Sequence, residues 1–158
     1  MKKIDHKLDP IFGPSGAFAG YFILLVGLST LFLSIGVEGS MILILIGSFV
    51  GLTHTGSTID PEKNRVRMYT ALFGFLKIGG WYGLDQFQTI TLTKSVRKHR
   101  VYSRSNRQID TRNVDYRIML IGINPAQKLP VQKFKTKEAA RLELEQLSNQ
   151  LGLEINLP

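Results

Sequence analysis

From Gly16 to Ile35 the side chains are uncharged and mostly large and apolar (GAFAGYFILLVGLSTLFLSI), and a second such run follows from Met41 to Leu52 (MILILIGSFVGL). Beyond Leu52 the texture changes to β-branched and aromatic residues alternating with polar ones, in stretches broken by Gly, Asn, Asp and Pro. About 20 apolar residues are what a helix needs to cross ~30 Å of hydrocarbon at ~1.5 Å per residue, whereas period-two alternation marks half-buried strands. On pattern alone the chain divides into a polar N-terminal segment (1–15), a membrane α-hairpin (16–54) and a mainly β domain (55–158).

The second apolar run is short, so a full crossing must recruit Glu38 to Ser40 and Thr53 to His54. A re-entrant or interfacial segment is the alternative, and it would place the β domain on the other side of the membrane. Gly16 and Gly20 form one GxxxG, and Gly47 and Gly51 another, at similar depth in an antiparallel pair. Small residues let helix backbones approach closely, so these four glycines are candidates for packing within one chain or between copies.

In the β domain, strands are expected at Thr55 to Ile59, Arg65 to Phe73, Lys77 to Tyr82, Phe87 to Thr93, Val96 to Ser103, Tyr116 to Ile123 and Leu129 to Phe134. Asp60 to Asn64 reads as a turn and Ser103 to Asn113 as a long hairpin loop. Thr136 is placed to cap a helix in which Ala140, Leu144, Leu147 and Leu151 recur at helical spacing, and Gly152 is placed to end it.

Charge orients this arrangement. Of 20 Lys and Arg in 158 residues, Lys2, Lys3 and Lys7 precede the apolar region, none lies within it, and the rest begin at Lys63. The Lys/Arg excess stays on the cytoplasmic side, so both termini are expected there, with Val37 to Gly39 on the opposite side. The absence of cysteine removes disulfides, thiolate chemistry and Cys-based zinc sites.

No P-loop, dinucleotide-binding glycine pattern or hydrolase elbow is present, and His6, His54 and His99 stand in separate contexts. Neither a metal site nor a cofactor is therefore expected. Glu143 and Glu145 are two apart on a helix and do not share a face, so they make no catalytic pair.

The informative chemistry is basic. Lys94, Arg97, Lys98, Arg100, Arg104 and Arg107 fall within one short stretch without an acidic residue, and Lys63, Arg65 and Arg67 form a second group. Such clusters recognise phosphate through paired guanidinium hydrogen bonds and ammonium charge, and they also serve simply as solvated faces. Anionic lipid headgroups or a protein partner suit the larger cluster, while nucleic acid is disfavoured because a membrane anchor restricts access. Phe73, Phe75 and Lys77, where the second strand turns back, have a composition suited to the membrane interface.

The segments STIDPEKNRVRMYTALFGFLKIGGWYGLDQFQTITL (57–92) and VDYRIMLI (114–121), with the terminal helix, give the chain from about residue 15 onward a resemblance to a known family. It resembles small membrane-anchored bacterial proteins with two N-terminal helices and a pleckstrin-homology-like (PH-like) domain. The resemblance implies a curled antiparallel sheet of six or seven strands closed by a C-terminal amphipathic helix, in the bacterial inner membrane, with no defined activity. The expectation is a non-enzymatic multi-pass protein that presents a basic domain to membrane lipids, to itself or to another protein. An accessory subunit of a transporter or envelope complex, docking through its helical hairpin, is the alternative.

Overall fold

A computed structural model of the chain describes residues 3–33, 36–102, 108–124 and 126–156, with the backbone alone at 97–102 and 108–113. The chain forms two compact units, residues 1–82 and 83–158.

The first unit begins with a strand, β1 (Ile4–Pro10), followed by helices α1 (Gly13–Phe32) and α2 (Val37–Leu52). Three more strands complete its main path: β2 (His54–Asp60), β3 (Arg65–Leu72) and β4 (Leu76–Ile78). They lie in the order β1-β2-β3-β4, with all neighbours antiparallel, and the short β5 (Trp81–Gly83) also pairs with β3. Asp60 opposes Arg65 across the expected turn, where Asn64 takes a left-handed conformation (φ 46°).

β1 was not expected. Its alternation is nonetheless present, with Ile4, His6 and Leu8 separated by Asp5, Lys7 and Asp9, and it pairs with β2 from Ile4↔Ile59 to Pro10↔His54. The first strands expected of a separate β domain therefore belong to the same unit as the helices. Ile59, Val66 and Ala71 are fully buried in it.

The second unit opens with a 3-10 turn at Leu84–Gln86 and contains β6 (Phe87–Tyr102), β7 (Gln108–Gly122), β8 (Lys128–Phe134), α3 (Lys137–Leu151) and β9 (Glu154–Ile155). The sheet order is β8-β7-β6-β9, antiparallel except for the β6–β9 pair. The two strands expected at Phe87 to Thr93 and Val96 to Ser103 are one, because Lys94 and Ser95 change the polarity of the strand without breaking it. The second half of the expected loop is likewise strand, with Gln108 opposite Tyr102.

Helix α3 follows its sequence signals. Ala140, Leu144 and Leu147 are buried, as are Ile90, Leu92, Ile118, Leu120 and Val131 of the sheet. Gly152 is left-handed (φ 66°) and its N–H returns to the Ser148 carbonyl. Thr136 occupies the N-cap in an extended conformation, but its side chain makes no capping hydrogen bond.

Candidate functional site

In the helical pair the usual distribution of residues is reversed. Its buried positions are Ala17, Gly20 and Gly27 on α1 and Ser40, Gly47 and Gly51 on α2. Phe18 (74% exposed), Phe22, Leu25, Met41, Ile42 and Leu45 point outward. A helix pair folded for water buries the large apolar side chains, which contribute roughly 1.5–3 kcal/mol each on burial, and exposes polar ones. Among the described residues, α1 alone is long and apolar enough to cross a membrane; α2 is apolar but has 16 residues.

The glycines explain how closely the helices approach. A methyl group on Gly20 would collide with the Gly51 backbone, one on Gly47 with the Leu24 backbone, and one on Gly27 would lie 2.9 Å from the Ile44 nitrogen. Three of the four expected glycines thus meet across the pair. Gly16 does not: its nearest neighbour is Phe12 of its own preceding turn. Gly27 and Ser40 were missed because they lie seven residues from Gly20 and Gly47, outside the four-residue motif. Ser40 Oγ donates to Thr30 Oγ1 (3.0 Å), which ties the helices together near their connection.

At the opposite end of the pair, Ile11 N–H donates to the Thr53 carbonyl (3.3 Å), and the β3–β4 turn packs against the end of α2. The Phe49 ring lies 5.8 Å from Phe12 and 5.4 Å from Phe73, and Phe73 lies 6.4 Å from Phe75. Phe73 N–H donates to Thr53 Oγ1 (3.3 Å). Phe73 (φ 53°) and Gly74 (φ 83°) have the backbone signs of a type I′ turn, closed by Phe75 N–H to the Leu72 carbonyl at 3.2 Å. Holding a phenylalanine in the left-handed region costs roughly 1–2 kcal/mol, which the ring packing offsets.

The third expected interface residue, Lys77, turns onto the sheet instead, pairing with Asp5 of β1 and lying 4.6 Å from the centre of the Tyr69 ring. Thr58 also donates to Asp5 (2.7 Å). Burial pushes the Asp5 carboxyl up, but hydrogen bonds from Lys77, Thr58 and Tyr69 outweigh it and hold the group below its ordinary value. The bond to Asp5 raises Lys77, against a smaller opposing effect of burial. Burial, and then the neighbouring Asp5, raise Tyr69.

The smaller basic group is largely occupied within the first unit. Asp60, 1% exposed, pairs with Arg65 (3.4 Å) and Lys3 (3.7 Å). Arg65 and Arg67 stack on Trp81 at 4.1 and 4.7 Å from its ring centre. Trp81 is accordingly a half-exposed platform for two guanidinium groups.

In the second unit, β8 pairs with β7 only as far as Tyr116, and β9 pairs with β6 only at Thr89 and Ile90. Lys94 to Tyr102 and Gln108 to Tyr116 therefore extend as a two-stranded ribbon of about 30 Å at ~3.3 Å per residue. Lys94, Arg97, Lys98 and Arg100 lie on it. The register sets Lys98 opposite Arg112 and Arg100 opposite Asp110, and Lys94 is exposed. Arg104 and Arg107 fall outside the described residues. At the base of the ribbon, Asp115 is held by Lys133 (3.0 Å) and Arg117 (3.6 Å).

Among the described residues no three His, Asp or Glu side chains come together as metal ligands. No protein-family model, curated protein or solved structure matches this chain.

Proposed function

We propose that the chain is a non-enzymatic, multi-pass protein of the bacterial inner membrane, anchored by α1 and α2 with both termini cytoplasmic. In this reading its β units stand at the membrane surface and its basic ribbon binds anionic lipid headgroups. The observation that carries the anchor is the inverted burial of the helical pair, with glycine and serine inside and phenylalanine, leucine and isoleucine outside. The Lys/Arg distribution supports the orientation. The mostly antiparallel strands and the amphipathic helix after β8 are compatible with a PH-like domain, but the strands form two sheets where the resemblance implies one curled sheet.

The ribbon supports the lipid reading in two ways. Residues 94–116 hold seven Lys and Arg against two Asp, and each well-placed cation contributes about 1 kcal/mol near an anionic leaflet. A two-stranded ribbon is also marginal by itself in water, so a surface that binds it stabilises it.

Hydrogen exchange on the full-length protein tests this in nanodiscs of phosphatidylcholine and of phosphatidylcholine with phosphatidylglycerol. Amides of 94–116 should exchange more slowly in the anionic bilayer, and the difference should vanish in an Arg97→Glu, Lys98→Glu, Arg100→Glu variant. Equal exchange in both bilayers removes lipid as the ligand and leaves a protein partner. The second reading, an accessory subunit of a membrane complex, is favoured by the outward Phe18 and Phe22. These remain available for docking while the glycines are engaged within the chain.

A further inference from the structure

The two helices differ in reach. α1, with 20 residues, spans about 30 Å, the thickness of a bilayer's hydrocarbon, whereas the 16 residues of α2 span about 24 Å. The deficit of about 6 Å has to be met at one end of α2. At its C-terminal end stands the β3–β4 turn: a methyl group on Gly74 would lie in contact with Leu52 Cβ at 3.5 Å.

That turn is apolar beyond what a hairpin requires. The stretch Thr70 to Leu76 (TALFGFL) carries no charge, and Phe73 occupies a left-handed position where asparagine, aspartate or glycine is the favoured choice. Its ring joins those of Phe12 and Phe49 into one aromatic layer across the beginning of α1, the end of α2 and the turn. Beyond this layer Phe75 is 72% exposed and Leu76 and Ile78 are exposed too, while Lys77 is drawn away from them by Asp5. An apolar tip continuous with two lipid-facing helices fits a lipid surface, and aromatic rings at that level match the headgroup boundary.

We infer that the β3–β4 turn, Phe73 to Leu76, is a third membrane-embedded element. It inserts at the boundary between headgroups and acyl chains and supplies the apolar surface that α2 is too short to provide. The inference rests on the anchored reading above. It also orients the first unit, because the Asp60–Arg65 end of β2 and β3 lies some seven residues, about 20 Å, from the helix end and faces water.

The absence of cysteine allows single spin labels at Phe75→Cys, Phe22→Cys and Lys63→Cys in the full-length protein in phospholipid vesicles. Collisions with oxygen, enriched in the bilayer, are compared with those with a water-soluble nickel chelate. The expected result at position 75 is an oxygen-to-nickel accessibility ratio severalfold above that at 63 and below that at 22. A ratio at 75 equal to that at 63, with 22 still deep, overturns the insertion and leaves the anchor intact. Low accessibility to both reagents at 75 also overturns it, in favour of a protein covering the tip. An aqueous ratio at 22 removes the anchor, and the insertion with it.

Discussion

Asp5, Tyr69 and Lys77 link the N-terminal strand to the far side of its sheet, and their titration makes a small part of the first unit's stability depend on pH. Asp5 has a lowered value in the fold, so its contribution is complete above the ordinary carboxylate value and is lost as pH falls through the lowered one. Lys77 and Tyr69 have raised values, so theirs is complete below their ordinary values near 10 and is lost as pH rises through the raised ones. The Asp5 and Lys77 side chains are 43% and 34% exposed, which limits the pair to about 1 kcal/mol or less. Thermal melts in nanodiscs should show a stability plateau between about pH 4 and 10, and Asp5→Asn should lower it slightly and flatten its acid limb. An unchanged acid limb would remove Asp5 from this role. Residues of this kind were only partly legible in the sequence. The i,i+2 spacing of Arg65 and Arg67 puts them on one face of a strand, but their stacking on Trp81 depends on β5 returning beside β3, which no local pattern specifies.

Among the elements, the helices and α3 were the most legible, because each carries a long continuous or helical-period signal. The limits of strands were less so. β1 was hidden by its density of charge, and β6 was divided in two where its alternation changes polarity. Within the helical pair, GxxxG identified Gly20, Gly47 and Gly51 but not Gly27, since the contact follows where the helices cross and not a fixed spacing. Gly47→Leu should force the helices apart and cost about 2 kcal/mol or more, whereas Gly39→Leu, at a position where an added Cβ meets nothing within 4 Å, should be close to neutral. Thermal stability of the two variants in the same detergent checks this. Equal stabilities would show that the two helices do not pack as described.

For the whole molecule, the proposed function turns on which surfaces meet lipid and which meet water. Charge asymmetry and apolar run length are the basis for expecting an anchor, and among the described residues one helix, α1, is long and apolar enough to cross a membrane. The division into two units was not legible, because it depends on which strands pair, and β1 recruits β2 to β4 into the same unit as the helices. The basic ribbon was visible as a cluster, although its form as a projecting pair of strands depends on how early β8 and β9 stop. The most direct measurement is side-specific labelling of single cysteines by a membrane-impermeant maleimide in intact bacterial cells and inverted vesicles. A membrane α-hairpin with a cytoplasmic β region predicts that Gly39→Cys reacts only from outside and Lys63→Cys only from the cytoplasmic face. Labelling of Lys63→Cys from outside, or of both positions from the same side, would contradict it.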